Sequence, residues 1–301
     1  MGTELQKFAL IGFGEAGSIL GEDLVAAGHE VAMYDVLLDS PSGRSLMLEK
    51  ARRVRVRAAD TFDDAVAGAS IVISAVTATS SSDVAAKAAR VLRAGQVLLD
   101  INSVSPAKKL ANAALVEAVG ADYVEAAVMA PVPPQRLRVP MLLGGPRAAA
   151  VAQVLRDVGM NATVLSDKIG VASAVKMCRS IVIKGLEALT LESMLAARKF
   201  GAEQEVLASL NGTFPSMGWT GKLPDYLISR VAEHGLRRAS EMREVARTLS
   251  DVGVDPVMAA ATAARQEWLV QAMAAHDEEY GEPFSWRTLI DAISPAKSQR
   301  G

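Results

Sequence analysis

Residues 11–20 read IGFGEAGSIL. Gly12, Gly14 and Gly17 form G-x-G-x-x-G directly after the apolar run KFALI (7–11). A helical pattern follows from about Glu15 to Ala27 and stops at Gly28. The glycine pattern alone is common. Between a strand and a helix, in a first β–α–β unit, it has the context that a dinucleotide-binding loop requires. Gly12 permits the tight turn, Gly14 lets backbone approach a pyrophosphate, and Gly17 lets the helix pack close to the strand. The helix N-terminus offers N–H groups and partial positive charge to phosphates. The plainer alternative is a tight structural turn and nothing more.

The next strand, EVAMYD (30–35), ends at Asp35, 18 residues after Gly17. A carboxylate there can accept hydrogen bonds from the ribose hydroxyls of NAD and repels the 2′-phosphate of NADP. NADP stays open through Arg44, which could pair with that phosphate. The candidate cofactor contacts are Gly12, Phe13, Gly14, Glu15, Ala16 and Gly17 in the loop. Tyr34 and Asp35 follow it, and Ala75, Val76 and Thr77 close the strand SIVISAV (70–76).

Outward from this unit the first half keeps alternating. RVRVRA (53–58) alternates charged and apolar residues and is expected as a strand near a sheet edge. Further strands are expected at 96–102, 122–128, 139–145 and 162–166. Helices are expected between them, near 61–69, 82–93, 103–120 and 147–158; the third starts at Ser105-Pro106 and stops at Gly120. Such alternation implies a doubly wound parallel sheet with helices on both faces, a Rossmann-type α/β fold. From about Lys168 no strand pattern remains. Helices are expected near 169–199, 202–211, 222–250 and 255–275. The expected division is a dinucleotide-binding domain over 1–167 and an all-α substrate and dimerisation domain over 168–301.

The 301 residues suffice for two cores, and the net charge of −2 gives no reason to expect nucleic acid or an anionic membrane as partner. The N-terminal stretch has no secretory pattern and no run of about 18 apolar residues predicts a span. A single cysteine, Cys178, excludes an internal disulfide and points to a reducing cytoplasm. Cys178 is expected as a small buried hydrophobe. The three histidines are far apart, and no metal-ligand spacing is visible. Long apolar helices after 168 suggest a homodimer.

ASAVKMCRSIVIKG (172–185) is a largely apolar helix that carries Lys176, Arg179 and Lys184. At 3.6 residues per turn, Ser180, Ile183, Lys184 and Glu187 lie within roughly 80° of Lys176. This face is either chemical, or it holds a lysine that snorkels over the core and pairs with Glu187.

At these residues the chain resembles the beta-hydroxyacid dehydrogenases, the family of 3-hydroxyisobutyrate and phosphogluconate dehydrogenases, over roughly residues 7–200. GFGEAG with Asp35 carries the likeness. So does DINSVSP (100–106), similar to the family's Asp-x-Ser-Thr-x-x-Pro, and EAAVMAP (125–131), where the family has Asp-Ala-Pro-Val-Ser-Gly-Gly. GVASAVKMCRS (170–180) stands at the family's interdomain helix. The resemblance implies that Lys176 is the catalytic lysine and that Asn102, Ser103, Met129, Ala130 and Ser180 face substrate. Met129 and Ala130 replace a Ser and a Gly, and Ser180 replaces an Asn, which implies a substrate bulkier or more apolar than 3-hydroxyisobutyrate. EHGLRRASEMREVARTLSDVGVDP (233–256) is similar to a helical domain of unassigned function on some such proteins. It implies that His234, Arg237 and Arg238 reach substrate, against the alternative of a solvated charged face.

The implied chemistry is hydride transfer between NAD(P) and a hydroxy acid or related alcohol, a small-molecule substrate, with Lys176 as general acid/base. Burial would hold its ammonium below the usual value. An imine reductase and a non-catalytic dinucleotide-binding protein are the alternatives; relatives of both kinds lack the lysine.

Overall fold

The computed structural model describes residues 5–294. Two compact units make up the chain, Met1–Lys176 and Met177–Gly301.

The first unit runs β1 (Lys7–Ile11), α1 (Glu15–Ala26), β2 (Glu30–Tyr34), a 3-10 turn (Val36–Asp39), α2 (Pro41–Arg53), β3 (Arg57–Ala58), α3 (Phe62–Val66) and β4 (Ile71–Ser74). It continues α4 (Ser81–Val91), β5 (Val97–Asp100), α5 (Pro106–Glu117), β6 (Asp122–Val128), α6 (Val132–Gln135), β7 (Met141–Gly144), α7 (Ala148–Asp157) and β8 (Ala162–Ser166). The first turns of α8 (Val171–Phe200) complete it. One eight-stranded sheet has the order β3-β2-β1-β4-β5-β6-β7-β8. Every residue of β4 and β5 is buried, as expected of parallel strands covered on both faces. The order reverses between β1 and β4. The crevice beyond the C-terminal ends of those strands is the place where such sheets bind ligands.

Two expectations need correction. The sheet is not wholly parallel: β7 pairs antiparallel with β6, and β8 runs with β7. The proline-rich connection after β6 folds back on itself, with Met129 N–H donating to Pro140 O at 2.8 Å. It holds only the short α6 and one 3-10 turn, not a full crossover helix. Nor is 53–58 a strand. Arg53 ends α2, whose start is fixed by Pro41 and by Ser40 accepting from Gly43 N–H. Val54 and Val56 turn into the core around Arg55, which has φ of +59°, and only Arg57–Ala58 pairs with β2. The alternation came from a turn between buried valines.

The second unit continues α8 and adds α9 (Glu203–Thr213), α10 (Leu223–Asp251), α11 (Val257–Ala275) and α12 (Trp286–Ile293). Among the described residues it holds no strand. One core gathers Leu191, Met194, Ile228, Leu269, Trp286 and Ile290, and a second gathers Met177, Ala239, Met242 and Ala263. α10 kinks at His234, where φ is −131°. Next to it, a Cβ on Gly235 would lie 2.5 Å from Val270 Cγ2 and 3.0 Å from Gln266 O, so glycine permits the close crossing of α10 and α11. Cys178 is exposed, contrary to expectation. α8 turns Met177 and Ser180 inward, which leaves positions 178 and 179 outward. Among the described residues no helix is long and apolar enough to cross a membrane.

Candidate active site

The glycine loop is held from three sides. Gly12 N–H donates to Tyr34 O at 2.9 Å, and Ala75 N–H donates to Ile11 O at 2.8 Å. Gly12 has φ of +91°, and a Cβ on it would lie 2.5 Å from Ala75 O. A Cβ on Gly17 would lie 2.1 Å from Gly12 O, whereas one on Gly14 would meet nothing within 4 Å. The loop is therefore closed at Gly12 and Gly17 and open at Gly14, where α1 begins. That open cradle, with the free N–H groups of a helix start, fits a pyrophosphate.

Asp35 does two things. Its Oδ2 accepts from Phe13 N–H at 2.7 Å and its Oδ1 from Leu37 N–H at 3.0 Å. Phe13 turns its ring wholly into the core, so it can offer a ligand only backbone. Glu15 is exposed and Ala16 half-buried at the start of α1. Tyr34 is buried and donates to Asp39; burial and that carboxylate push its hydroxyl up to about 12. Arg44 is engaged elsewhere, donating to Leu38 O at 3.1 Å and to Asp60 at 2.8 Å. Lys50, to which no motif or spacing points, reaches the loop from α2 and donates to Phe13 O at 2.7 Å and Gly14 O at 2.8 Å.

Ala75, Val76 and Thr77 follow β4 at the same sheet edge. Asn102 joins them to the end of β5: its Oδ1 accepts from Val76 N–H at 2.7 Å and its Nδ2 donates to Ser74 Oγ at 2.8 Å. The buried Asn102 amide thus builds the edge, and Ser103 beside it is the more exposed of the two. Behind lies a polar network that sequence reasoning missed. Asp100 Oδ1 meets Lys109 Nζ at 2.9 Å, and Asp100 Oδ2 accepts from Tyr123 Oη at 2.7 Å, all three groups being almost fully buried. Burial, then Asp100, holds the Tyr123 hydroxyl well above its ordinary range. A signal existed: Lys109 shares the spacing of the buried α5 residues Asn112, Ala113 and Val116.

Met129 and Ala130 are half-buried just past β6. Earlier on that strand Glu125, with no exposed surface, accepts from Gly170 N–H at 2.7 Å, Ala172 N–H at 3.0 Å and Ser173 N–H at 3.3 Å. Its carboxylate caps α8, satisfying N–H groups that a helix start leaves without partners. Lys176, half-buried, sits five residues past Val171 on that anchored helix.

In the second unit Ser180, Lys184 and Glu187 form a buried face of α8. Lys184 pairs with Glu241, and Arg238 grips both oxygens of Glu187, so Arg238 rather than Lys176 is the partner the carboxylate takes. Burial lowers Lys184 and raises Glu187, the latter opposed by Arg238. Arg237 is more than half exposed and pairs with Glu241 at 2.9 Å. His234 lies with Nε2 3.3 Å from Glu233; burial, then Arg237 and Arg230, hold it below its ordinary value.

The NAD binding domain of 6-phosphogluconate dehydrogenase matches residues 7–166, and DUF1932, a domain of unknown function, matches residues 197–269. A conserved hypothetical protein from Sinorhizobium meliloti is 33% identical and superposes with a TM-score of 0.78 over 97% of both chains. An uncharacterised 28.5 kDa protein from Methanothermus fervidus is 29% identical over 256 residues, 84% of this chain and 94% of its own. The 3-hydroxyisobutyrate dehydrogenase of Mycobacterium tuberculosis shares the fold, with a TM-score of 0.74 at 17% identity over 96% of this chain and 99% of its own.

Proposed function

The chain belongs to the family that carries the NAD binding domain of 6-phosphogluconate dehydrogenase, and we propose that it is an NAD(P)-dependent dehydrogenase of hydroxy acids or related alcohols, with Lys176 as general acid/base. One observation supports this most: the same unit holds an open dinucleotide cradle at Gly14 and a lysine on a helix whose start is locked to the sheet by buried Glu125. The loop residues and Asp35 would hold the dinucleotide, which supplies the hydride acceptor or donor when bound. NAD is the better fit, since a carboxylate, Asp35, follows β2 beside the glycine loop and Arg44 is held by Asp60 and Leu38 O.

Neutral Lys176 takes the hydroxyl proton as the alcohol is oxidised; its ammonium returns a proton to the alkoxide in reduction. Asn102 holds the ends of β4 and β5 in register, and Ser103, Met129 and Ala130 offer a mixed polar and apolar wall to substrate. Ser180, His234 and Arg237 are further candidate contacts, each checked by the KM of its alanine variant. A homodimer through α8, on which Val182 and Leu189 are exposed, and a cytoplasmic location belong to the same proposal. So does the division into domains over 1–167 and 168–301.

The test is absorbance of the reduced nicotinamide with aliphatic and aromatic 3-hydroxy acids and simple alcohols, each with NAD and NADP. Wild type is expected to turn over, and Lys176→Ala to lose about 10²–10⁴ in kcat with cofactor affinity kept. Turnover that survives the substitution removes Lys176 as the acid/base. Tight NADH binding with no turnover shifts the weight to imine substrates, then to a non-catalytic role.

A further inference from the structure

We propose that Lys50 is the positioning residue of the pyrophosphate cradle, its ammonium fixing the peptide planes on either side of Gly14 so that the Gly14 and Glu15 N–H groups face the open side of the loop. This rests on the dinucleotide-binding role proposed above.

Three consecutive peptides of the loop are held from behind. Phe13 N–H is taken by Asp35 Oδ2 at 2.7 Å. Phe13 O and Gly14 O both accept from Lys50 Nζ, at 2.7 Å and 2.8 Å. In a trans peptide the C=O and N–H vectors point in opposite directions. A cation that fixes the Phe13 carbonyl therefore sends Gly14 N–H to the other side, and one that fixes the Gly14 carbonyl does the same for Glu15 N–H. The loop has open space at this residue, where a Cβ on Gly14 would touch nothing within 4 Å.

The two carbonyls are not equally dependent on Lys50. Gly14 O also accepts from Ser18 N–H at 3.2 Å and Ser18 Oγ at 2.8 Å, the ordinary start of α1. The Phe13–Gly14 peptide leans on Lys50 more, so Gly14 N–H is the donor most affected. The lysine is itself well fixed. It is half-buried, and Nζ lies 5.7 Å from the centroid of the buried Phe13 ring. Burial lowers the pKa of its ammonium; of the charges acting on it, Asp35 and Glu15 favour the ammonium and Arg53 opposes it. A carbonyl bound to a cation also makes the N–H of its own peptide a stronger donor, through polarisation along the chain of hydrogen bonds. Lys50 would thus sharpen the cradle without touching the ligand.

Calorimetric titration with NADH, ADP-ribose and AMP separates this role from others. NADH and ADP-ribose carry a pyrophosphate, and AMP does not. Lys50→Met is expected to weaken NADH and ADP-ribose about tenfold or more, the scale of one lost charge-assisted hydrogen bond. AMP is expected to change less than about twofold on the same scale. Lys50→Gln, which keeps a neutral donor, is expected between wild type and Lys50→Met, and it serves as the second variant if Lys50→Met does not fold. Unchanged NADH affinity in both variants overturns the role. Equal weakening of all three ligands also overturns it, since Lys50 would then act on the adenosine side or on the fold as a whole. If wild type binds neither NADH nor ADP-ribose, the dinucleotide role fails first and this one with it.

Discussion

Gly14 and Gly17 stand three residues apart in one loop and would respond to a methyl group in opposite ways. On Gly17 it would meet Gly12 O at 2.1 Å, which is backbone and cannot swing aside. Gly17→Ala is expected to cost about 1–3 kcal/mol, read from chemical denaturation, because overpacking forces the chain to shift. On Gly14 it would enter open space, with nothing within 4 Å. Gly14→Ala is expected to change stability by no more than about 0.5 kcal/mol and yet to weaken NADH, because the methyl occupies room the pyrophosphate needs. Normal NADH affinity in Gly14→Ala would put the phosphates elsewhere. The glycines and Asp35 were legible in the sequence because their spacing is local and their context is a strand followed by a helix. Lys50 was not. It lies 37 residues from Phe13, on a helix that was not among those expected from the sequence.

α8 shows the same limit for a whole element. Its existence and extent follow from a long apolar pattern, and the sequence placed it within two residues at each end. Its anchoring does not follow from local pattern. Glu125 reaches Gly170, Ala172 and Ser173 across 45 to 48 residues, and it fits only because Gly144 has no side chain: a Cβ there would lie 2.6 Å from Glu125 Oε1. The resemblance drew attention to Met129 and Ala130 in that segment, while the carboxylate at its head passed as an ordinary strand residue. Glu125→Ala is expected to cost about 3 kcal/mol, since it strands buried N–H groups that donated charge-assisted hydrogen bonds to the carboxylate. Glu125→Gln should cost less, because the amide oxygen can still take the Gly170 and Ala172 donors. Hydrogen exchange would show the loss at those amides first. Protection unchanged there in Glu125→Ala would mean that the helix start is held by something else. The β6–β7 reversal was missed for a related reason: strand direction depends on how the 129–140 connection folds, and hydrophobic pattern carries no sign of direction.

At the scale of the molecule, the change from alternating strands and helices to helices alone was legible, and each of the two units carries one histidine removed from water, His29 almost fully and His234 in part. His29 in the first is 6% exposed; its Nδ1 accepts from Gln6 N–H at 3.4 Å, and its Nε2 has no hydrogen-bond partner among the described residues. His234 in the second sits at the α10 kink. Burial holds both below the ordinary histidine value, near 6.5. Below that value the unfolded chain takes up protons that the folded units resist, so stability is complete above about pH 6.5 and falls as pH drops toward the folded values. All three tryptophans, Trp219, Trp268 and Trp286, lie in the second unit, so their fluorescence reports on that unit alone. The tryptophan melting temperature is expected to fall between about pH 7 and pH 5.5. His234→Gln should flatten that fall, and His29→Gln should leave it in place while flattening the loss seen by circular dichroism. A wild-type melting temperature level across this range, by both probes, would show that neither imidazole is held neutral by its surroundings.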